Sequence, residues 1–208
     1  MNKSLFQEEK GITCYKPDSK IYGLNYGQWT VKWWQWALSF PKSINPMIDP
    51  IGKFASIKQP DKVMFLAGKF GSREKTFPSR KCSALFGKSI LFPVINYEAN
   101  SFEYPDLRTE NDLLNNVCRH MDEIVLKECL INNQTITPQR IHSDPKLFPL
   151  SINEDLEGLD KGKDTLASAD GYWVFLKPLP RGRYEITFRG SCETGRLSSG
   201  ADYVLTIT

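Results

Sequence analysis

Histidine is scarce in this sequence, since His120 and His142 are the only two among 208 residues. They stand 22 residues apart, and neither HExxH, CxxC nor an EF-hand loop is present, so the usual zinc and calcium signatures are missing. No GxSxG nucleophile motif occurs, and no cysteine stands in a recognisable catalytic setting. Gly87-Lys88-Ser89 resembles the end of a phosphate-binding loop, but Cys82 replaces the first glycine that such a loop requires.

Long apolar runs and strong charge are also missing. The opening residues MNKSLFQEEKG have no apolar core of the kind that a secretion signal needs, and no stretch reaches membrane-spanning length. We therefore expect a cytoplasmic protein without a membrane span, although an exported form of the chain stays open. The 27 basic and 24 acidic residues are mixed along the chain, so nucleic-acid binding is not predicted. An odd number of cysteines without a CxxC pair favours reduced thiols.

Aromatic residues are abundant at 12% of the chain, and four of the five tryptophans fall between positions 29 and 36. Asn25 and Gln28 form a capping-box pattern that predicts a helix start. Helical spacing places three tryptophans on one buried stripe, namely Trp29, Trp33 and Trp36. Trp34 points elsewhere, and we predict a partly exposed ring that could stack on a sugar or another flat ligand.

The remaining pattern predicts a mainly β, α+β fold. Thr109 and Asp112 cap a second amphipathic helix, and short apolar runs bounded by Gly or Pro predict strands, with a bulge or a sheet edge at Pro93. Alternating residues after position 170 predict three antiparallel strands. We expect an antiparallel β-sandwich or jelly-roll-like domain over residues 25–208 with two packed helices, preceded by an N-terminal arm over residues 1–24.

Polar residues at the predicted strand ends are the candidates for chemistry. Glu98, Asp170 and His142 could form an acid/base group, because paired carboxylates suit glycoside hydrolysis and histidine is a common general base. The candidates for ligand binding are Trp34, Asn96, Tyr172 and Trp173. We predict no cofactor, but a calcium site in the 153–170 loop stays open because such sites leave little sequence signature.

Five blocks of this sequence together resemble a family of uncharacterised bacterial and archaeal β-rich proteins, many of which carry export signals. The blocks are WWQWALS at 33–39, FLAG at 65–68, GK at 87–88, FPVIN at 92–96 and DGYW at 170–173. The resemblance implies a single β-rich domain and marks six positions of interest: Trp33, Trp34, Trp36, Asn96, Glu98 and Asp170. Family members often pair a cysteine like Cys82 with one in the segment that is 53–59 here, where this chain has none. This departure argues against an ordinary exported, disulfide-bonded form.

Three functional hypotheses follow from these patterns. The aromatic excess and the missing catalytic motifs favour a binding domain for a carbohydrate, another small molecule or a protein. A hydrolase or lyase that uses carboxylates is the alternative. A structural subunit of a larger assembly is the third hypothesis, and the oligomeric state is left undecided.

Overall fold

The computed structural model describes residues 11–156 and 164–208, which fold into two packed β-sheets with two α-helices. The helices are α1 (Tyr26–Leu38) and α2 (Glu110–Asp122), and a 3₁₀ turn covers Lys42–Ile44. The strands are β1 (Val63–Phe65), β2 (Ser79–Ala84), β3 (Ser89–Asn100), β4 (Ile124–Ile131), β5 (Gln134–Thr135), β6 (Gln139–His142), β7 (Phe148–Ser151), β8 (Asp164–Leu176), β9 (Gly182–Cys192) and β10 (Ser198–Ile207).

Both sheets are mixed. The first sheet has the order β1-β3-β8-β6, with β7 also paired to β8, and the second has the order β2-β10-β9-β4-β5. The pairs β1–β3 and β2–β10 are parallel, and the other pairs are antiparallel. The prediction of a mainly β fold with two packed helices is confirmed. The structure differs from the expected antiparallel sandwich in two strand pairs. β1–β3 and β2–β10 are parallel, and in each pair the strand that comes earlier in the chain lies at a sheet edge.

Helix α1 begins as predicted, with the Asn25 side chain accepting from the Gln28 N–H and the Gln28 side chain accepting from the Asn25 N–H. Its tryptophans are all buried, and they pack against Phe65 and Phe175 of the first sheet. Trp34 is only 8% exposed, so the prediction of a partly exposed ring was wrong. Its indole lies edge-on against that of Trp33, with ring centroids 5.1 Å apart.

Helix α2 also has the predicted capping box, which Thr109 and Asp112 form. It ends at Asp122, and the apolar residues Ile124 and Val125, which continue its 3.6-residue periodicity in the sequence, belong to β4. The helix packs on β3 and β8, where Leu113 and Val117 contact Ala99. None of the described helices is long and apolar enough to cross a membrane.

A bulge in β3 decides which side chains share a face of the first sheet. The β3–β8 register shifts between Pro93 and Ile95, so the bulge predicted at Pro93 is confirmed. Beyond it, Ile95 faces the same side as α2, whereas Asn96 and Glu98 face the side covered by α1. The two helices therefore cover opposite faces of one sheet, and a separate set of polar side chains lies on each face.

Part of the predicted N-terminal arm adds to the first sheet. The Tyr15 N–H donates to the Phe175 carbonyl over 2.8 Å, and the Lys177 N–H donates to the Thr13 carbonyl over 2.9 Å. Residues 13–15 thus run along the end of β8, where Tyr15 also contacts the Phe175 ring edge-on.

Candidate functional site

A cavity of about 190 Å³ lies where α1 meets the outer face of the first sheet. Its walls come from α1, from the segment that follows β1, from β3 with the turn behind it, and from the start of β10. Polar and aromatic side chains in the lining include Trp34, Phe70, Asn96, Glu98, Glu103 and Ser199. Two residues predicted as ligand-binding, Trp34 and Asn96, therefore line the same cavity as the predicted acid Glu98.

Two N–H donors in this cavity wall are buried without a hydrogen-bond partner among the described residues. The other indoles of α1 each donate to a backbone carbonyl: Trp29 to Ile21 (2.8 Å), Trp33 to Leu66 (2.9 Å) and Trp36 to Ile57 (2.9 Å). The Trp34 Nε1–H has no such acceptor, and neither has the Asn96 Nδ2 amide. A buried unpaired donor costs about 1–3 kcal/mol, and the Nε1–H of Trp173, which lies outside the cavity wall, is likewise buried without a partner among the described residues.

A pair of carboxyl groups lines the same cavity. Glu98 is buried, and burial raises its pKa to about 8, with a further upward contribution from the negative charge of Glu103. Burial also raises the pKa of Glu103. The Asn100 amide donates to Glu98 Oε1 over 3.0 Å, and the Asn100 side-chain oxygen accepts from the Glu103 N–H over 2.9 Å. Asn100 thus holds the Glu98 carboxyl group and the backbone at Glu103, and the raised pKa of Glu98 favours its protonated form.

The cavity wall is held from behind by Arg80, which is 1% exposed. Its guanidinium donates to the Asp49 carbonyl (2.6 Å), the Met47 carbonyl (3.1 Å), the Ala67 carbonyl and the Tyr203 hydroxyl (3.0 Å). Met47 lines the cavity, and Ala67 precedes the lining residues 68–71. This arginine therefore joins two loops of the cavity wall to the second sheet.

The other two predicted acid/base residues lie on the opposite face of the sheet. Asp170 pairs with Tyr97 in the β3–β8 register, and paired residues share a face, so Asp170 and Glu98 point to opposite sides. His142 pairs with Asp170 in the β6–β8 register and faces the α2 side. The expected group of Glu98, His142 and Asp170 therefore does not form. Asp170 pairs with the residue before Glu98, so the two carboxylates lie on opposite faces of the sheet.

Asp170 and His142 meet Cys118 of α2 instead. His142 Nδ1 lies 3.5 Å from Asp170 Oδ2 and 3.9 Å from Cys118 Sγ. A nucleophilic triad requires its acid and its nucleophile on different ring nitrogens, whereas here both approach Nδ1. Burial and the negative charge of Asp170 also raise the pKa of the Cys118 thiol. This arrangement is unsuited to thiolate catalysis.

Tyr172 and Trp173 do not line the cavity. Tyr172 lies on the α2 side, beneath the Lys127 ammonium at 4.6 Å from its ring centroid. Trp173 is buried in the core and packs edge-on against Trp33. Gly171 between them is needed for close approach, since a Cβ there would lie 2.6 Å from Asn96 Cβ. These two predicted ligand-binding residues are therefore not part of this cavity, because Trp173 lies beneath it and Tyr172 faces the other side of the sheet.

Sequence reasoning missed four polar or aromatic residues of this site: Lys69, Phe70, Glu103 and Ser199. Lys69 holds the 68–72 stretch in place, since its ammonium donates to Ser72 Oγ (2.9 Å) and to the Glu74 carbonyl. The suggested calcium loop at 153–170 falls partly on residues 157–163, which lie outside the described residues.

Comparison of this chain with protein-family models, with curated proteins and with solved structures found no match.

Proposed function

We propose that this chain binds a small, neutral, polyhydroxylated molecule of saccharide type in the cavity between α1 and β3. The observation that carries the proposal is the pair of unpaired buried donors, Trp34 Nε1–H and Asn96 Nδ2–H, in one cavity wall. Buried polar groups of a native protein nearly always have partners, so the natural partner here is an acceptor atom of a ligand.

The carboxyl groups of the cavity narrow the class of ligand. A hydroxyl group both accepts and donates a hydrogen bond, so a polyol can accept from Trp34 and Asn96 while it donates to Glu98 and Glu103. An anionic ligand would lie against two carboxyl groups, and an ammonium ligand offers no acceptor to the two N–H donors. A neutral polyol is the class that satisfies both sets.

The size and the walls of the cavity agree with this class. Its volume of about 190 Å³ is below the roughly 300–1,000 Å³ of pockets for drug-sized ligands, which suits a single ring. Apolar surface from Phe70, Pro93 and Leu197 completes the walls, as expected for sugar rings that place a C–H face on apolar side chains.

Nuclear magnetic resonance of the indole N–H groups tests the proposal directly. The signal that disappears in Trp34→Phe identifies the Trp34 indole, and neutral monosaccharides and small polyols are then titrated into the wild-type protein. We expect a saturable shift of that signal, while the signal lost in Trp36→Phe stays in place. Titrations with the whole panel that never move the Trp34 signal would overturn the proposal.

A second candidate function, hydrolysis of a glycoside, is favoured by one specific observation. Glu98, whose pKa burial raises to about 8, lines the cavity together with a second carboxyl group, that of Glu103, and such a pair can supply a general acid and its partner carboxylate. The variant Glu98→Gln separates the two functions, because the amide resembles the protonated acid in shape but cannot transfer its proton. A binding protein keeps its ligand in this variant, whereas a hydrolase loses turnover of chromogenic glycosides.

A further inference from the structure

The α2 side of the first sheet carries a group of mixed donor atoms that the proposed function does not use. Cys118 projects from α2, His142 from β6 and Asp170 from β8. One sulfur, one imidazole nitrogen and one carboxylate oxygen lie within 4.8 Å of one another. Three elements that are distant in sequence thus bring together three different metal-ligating atoms.

Two of the three distances in the group are close to the edge lengths of a tetrahedral metal site. Zinc with bonds of about 2.0–2.3 Å places its ligand atoms about 3.3–3.7 Å apart. His142 Nδ1 lies 3.5 Å from Asp170 Oδ2 and 3.9 Å from Cys118 Sγ. The convergence of both partners on Nδ1, which is wrong for a catalytic triad, is the arrangement expected when all three atoms face one ion.

We propose that Cys118, His142 and Asp170 bind a divalent transition-metal ion of the zinc type, with water as the fourth ligand. Sulfur and imidazole ligands select zinc-like ions over calcium or magnesium. Asp170 is buried, whereas the His142 side chain is 46% exposed, so the site has one rigid wall and one side open to solvent. An open fourth position is the arrangement of reactive zinc sites.

The charges around the group are compatible with a dication. A thiolate and a carboxylate supply two negative charges, and the Arg140 guanidinium, 2.8 Å from Asp170 Oδ2, offsets one of them. Arg140, which donates Nε–H to Asp170 Oδ2 over 2.9 Å, is also paired with Asp122 over 2.5 Å and donates to the Cys118 carbonyl over 3.1 Å. Hydrogen-bond donors of this kind orient carboxylates that bind metals. Arg140 also fixes the end of α2 against β8, which keeps Cys118 in place.

Cobalt(II) is the probe for this site, because a cobalt–thiolate bond gives a charge-transfer absorption in the near ultraviolet. Chelator-treated protein is titrated with Co²⁺ and then with Zn²⁺, and the bound metal is counted after gel filtration. We expect one equivalent of Co²⁺, a thiolate band that Zn²⁺ abolishes, and a melting temperature that rises with Zn²⁺ concentration.

Single substitutions assign the ligands. Cys118→Ser should abolish the thiolate band, and His142→Gln should weaken metal binding about tenfold or more. Cys14→Ser and His120→Gln are the matched controls, since they remove the same donor types outside the group, and both should bind like the wild type. Absence of a thiolate band, or an unchanged band in folded Cys118→Ser protein, would overturn the proposal. If Cys118→Ser does not fold, wild-type affinity in His142→Gln has the same consequence.

Discussion

The stability of tryptophan variants in α1 tests, without knowledge of the ligand, whether the Trp34 N–H lacks a hydrogen-bond partner. Trp34 and Trp36 are matched in burial, at 8% and 7% exposure, and they lie two positions apart on one helix. Their hydrogen bonding differs, because the Trp36 N–H donates to the Ile57 carbonyl over 2.9 Å and the Trp34 N–H has no partner among the described residues. Trp36 also contacts the rings of Phe40 and Phe65. Replacing each by phenylalanine removes a similar volume but a different number of hydrogen bonds.

The expected difference follows from the two contacts. Trp36→Phe leaves the Ile57 carbonyl without its donor, which costs about 1–3 kcal/mol beyond the loss of packing. Trp34→Phe breaks no hydrogen bond and removes a buried unpaired donor, so its cost is the loss of packing alone. We therefore expect Trp34→Phe to lower the free energy of unfolding by about 1–3 kcal/mol less than Trp36→Phe does.

Urea denaturation followed by far-ultraviolet circular dichroism measures both values without depending on tryptophan emission. Trp33→Phe is a second control, since Trp33 also donates to a backbone carbonyl, that of Leu66. Equal losses in the free energy of unfolding for Trp34→Phe and Trp36→Phe would contradict this prediction. They would mean that the Trp34 N–H is already satisfied in the free protein and that it needs no ligand.

The remaining predictions concern Glu98 and Arg80. The pKa of Glu98 rises from 4.5 to about 8 on folding, so the folded chain keeps a proton that the unfolded chain loses, and wild-type stability falls as pH rises between these values. Glu98→Gln lacks this dependence, so its free energy of unfolding relative to that of the wild type should rise by a few kcal/mol from about pH 5 to pH 8. Denaturation at both pH values measures this change. A stability difference that is the same at both pH values would contradict the raised pKa. Arg80→Met should cost about 3 kcal/mol or more by leaving several buried carbonyls unpaired, whereas the exposed neighbour variant Lys81→Met should stay within about 0.5 kcal/mol in the same assay. Similar costs for both variants would show that Arg80 does not support the cavity wall.

The sequence predicted the local structure best where a short-range rule operates. Asn25 with Gln28 and Thr109 with Asp112 satisfy the first N–H groups of each helix from within four residues, so both helix starts could be predicted without knowledge of the fold. The β3 bulge followed likewise from Pro93, which cannot donate to a neighbouring strand. Strand β2 was missed because a buried arginine, Arg80, stands where an apolar residue would mark a core position.

The candidate site was predictable only in part. Trp34, Asn96 and Glu98 were identified from the sequence and line one cavity, but Glu103 was missed because nothing local marks a turn glutamate as part of a site. Trp34 was identified because its ring was predicted to be partly exposed, but the ring is buried. Its relevance comes from an indole N–H that lacks an acceptor, and this depends on the position of every neighbouring carbonyl.

Two capped helices, a tryptophan-rich helix face and a β-rich remainder could be predicted from the sequence alone, because these features depend on contacts within a few residues. What the tertiary structure decided is which polar residues act together. The β3–β8 register pairs Asp170 with Tyr97 and turns Glu98 to the other face, so one predicted acid/base group became two separate sites. Strand register depends on pairing between residues far apart in the sequence, such as Tyr97 and Asp170, which are 73 positions apart (170 − 97). Side chains alternate at every residue, so a shift of one position exchanges the two faces.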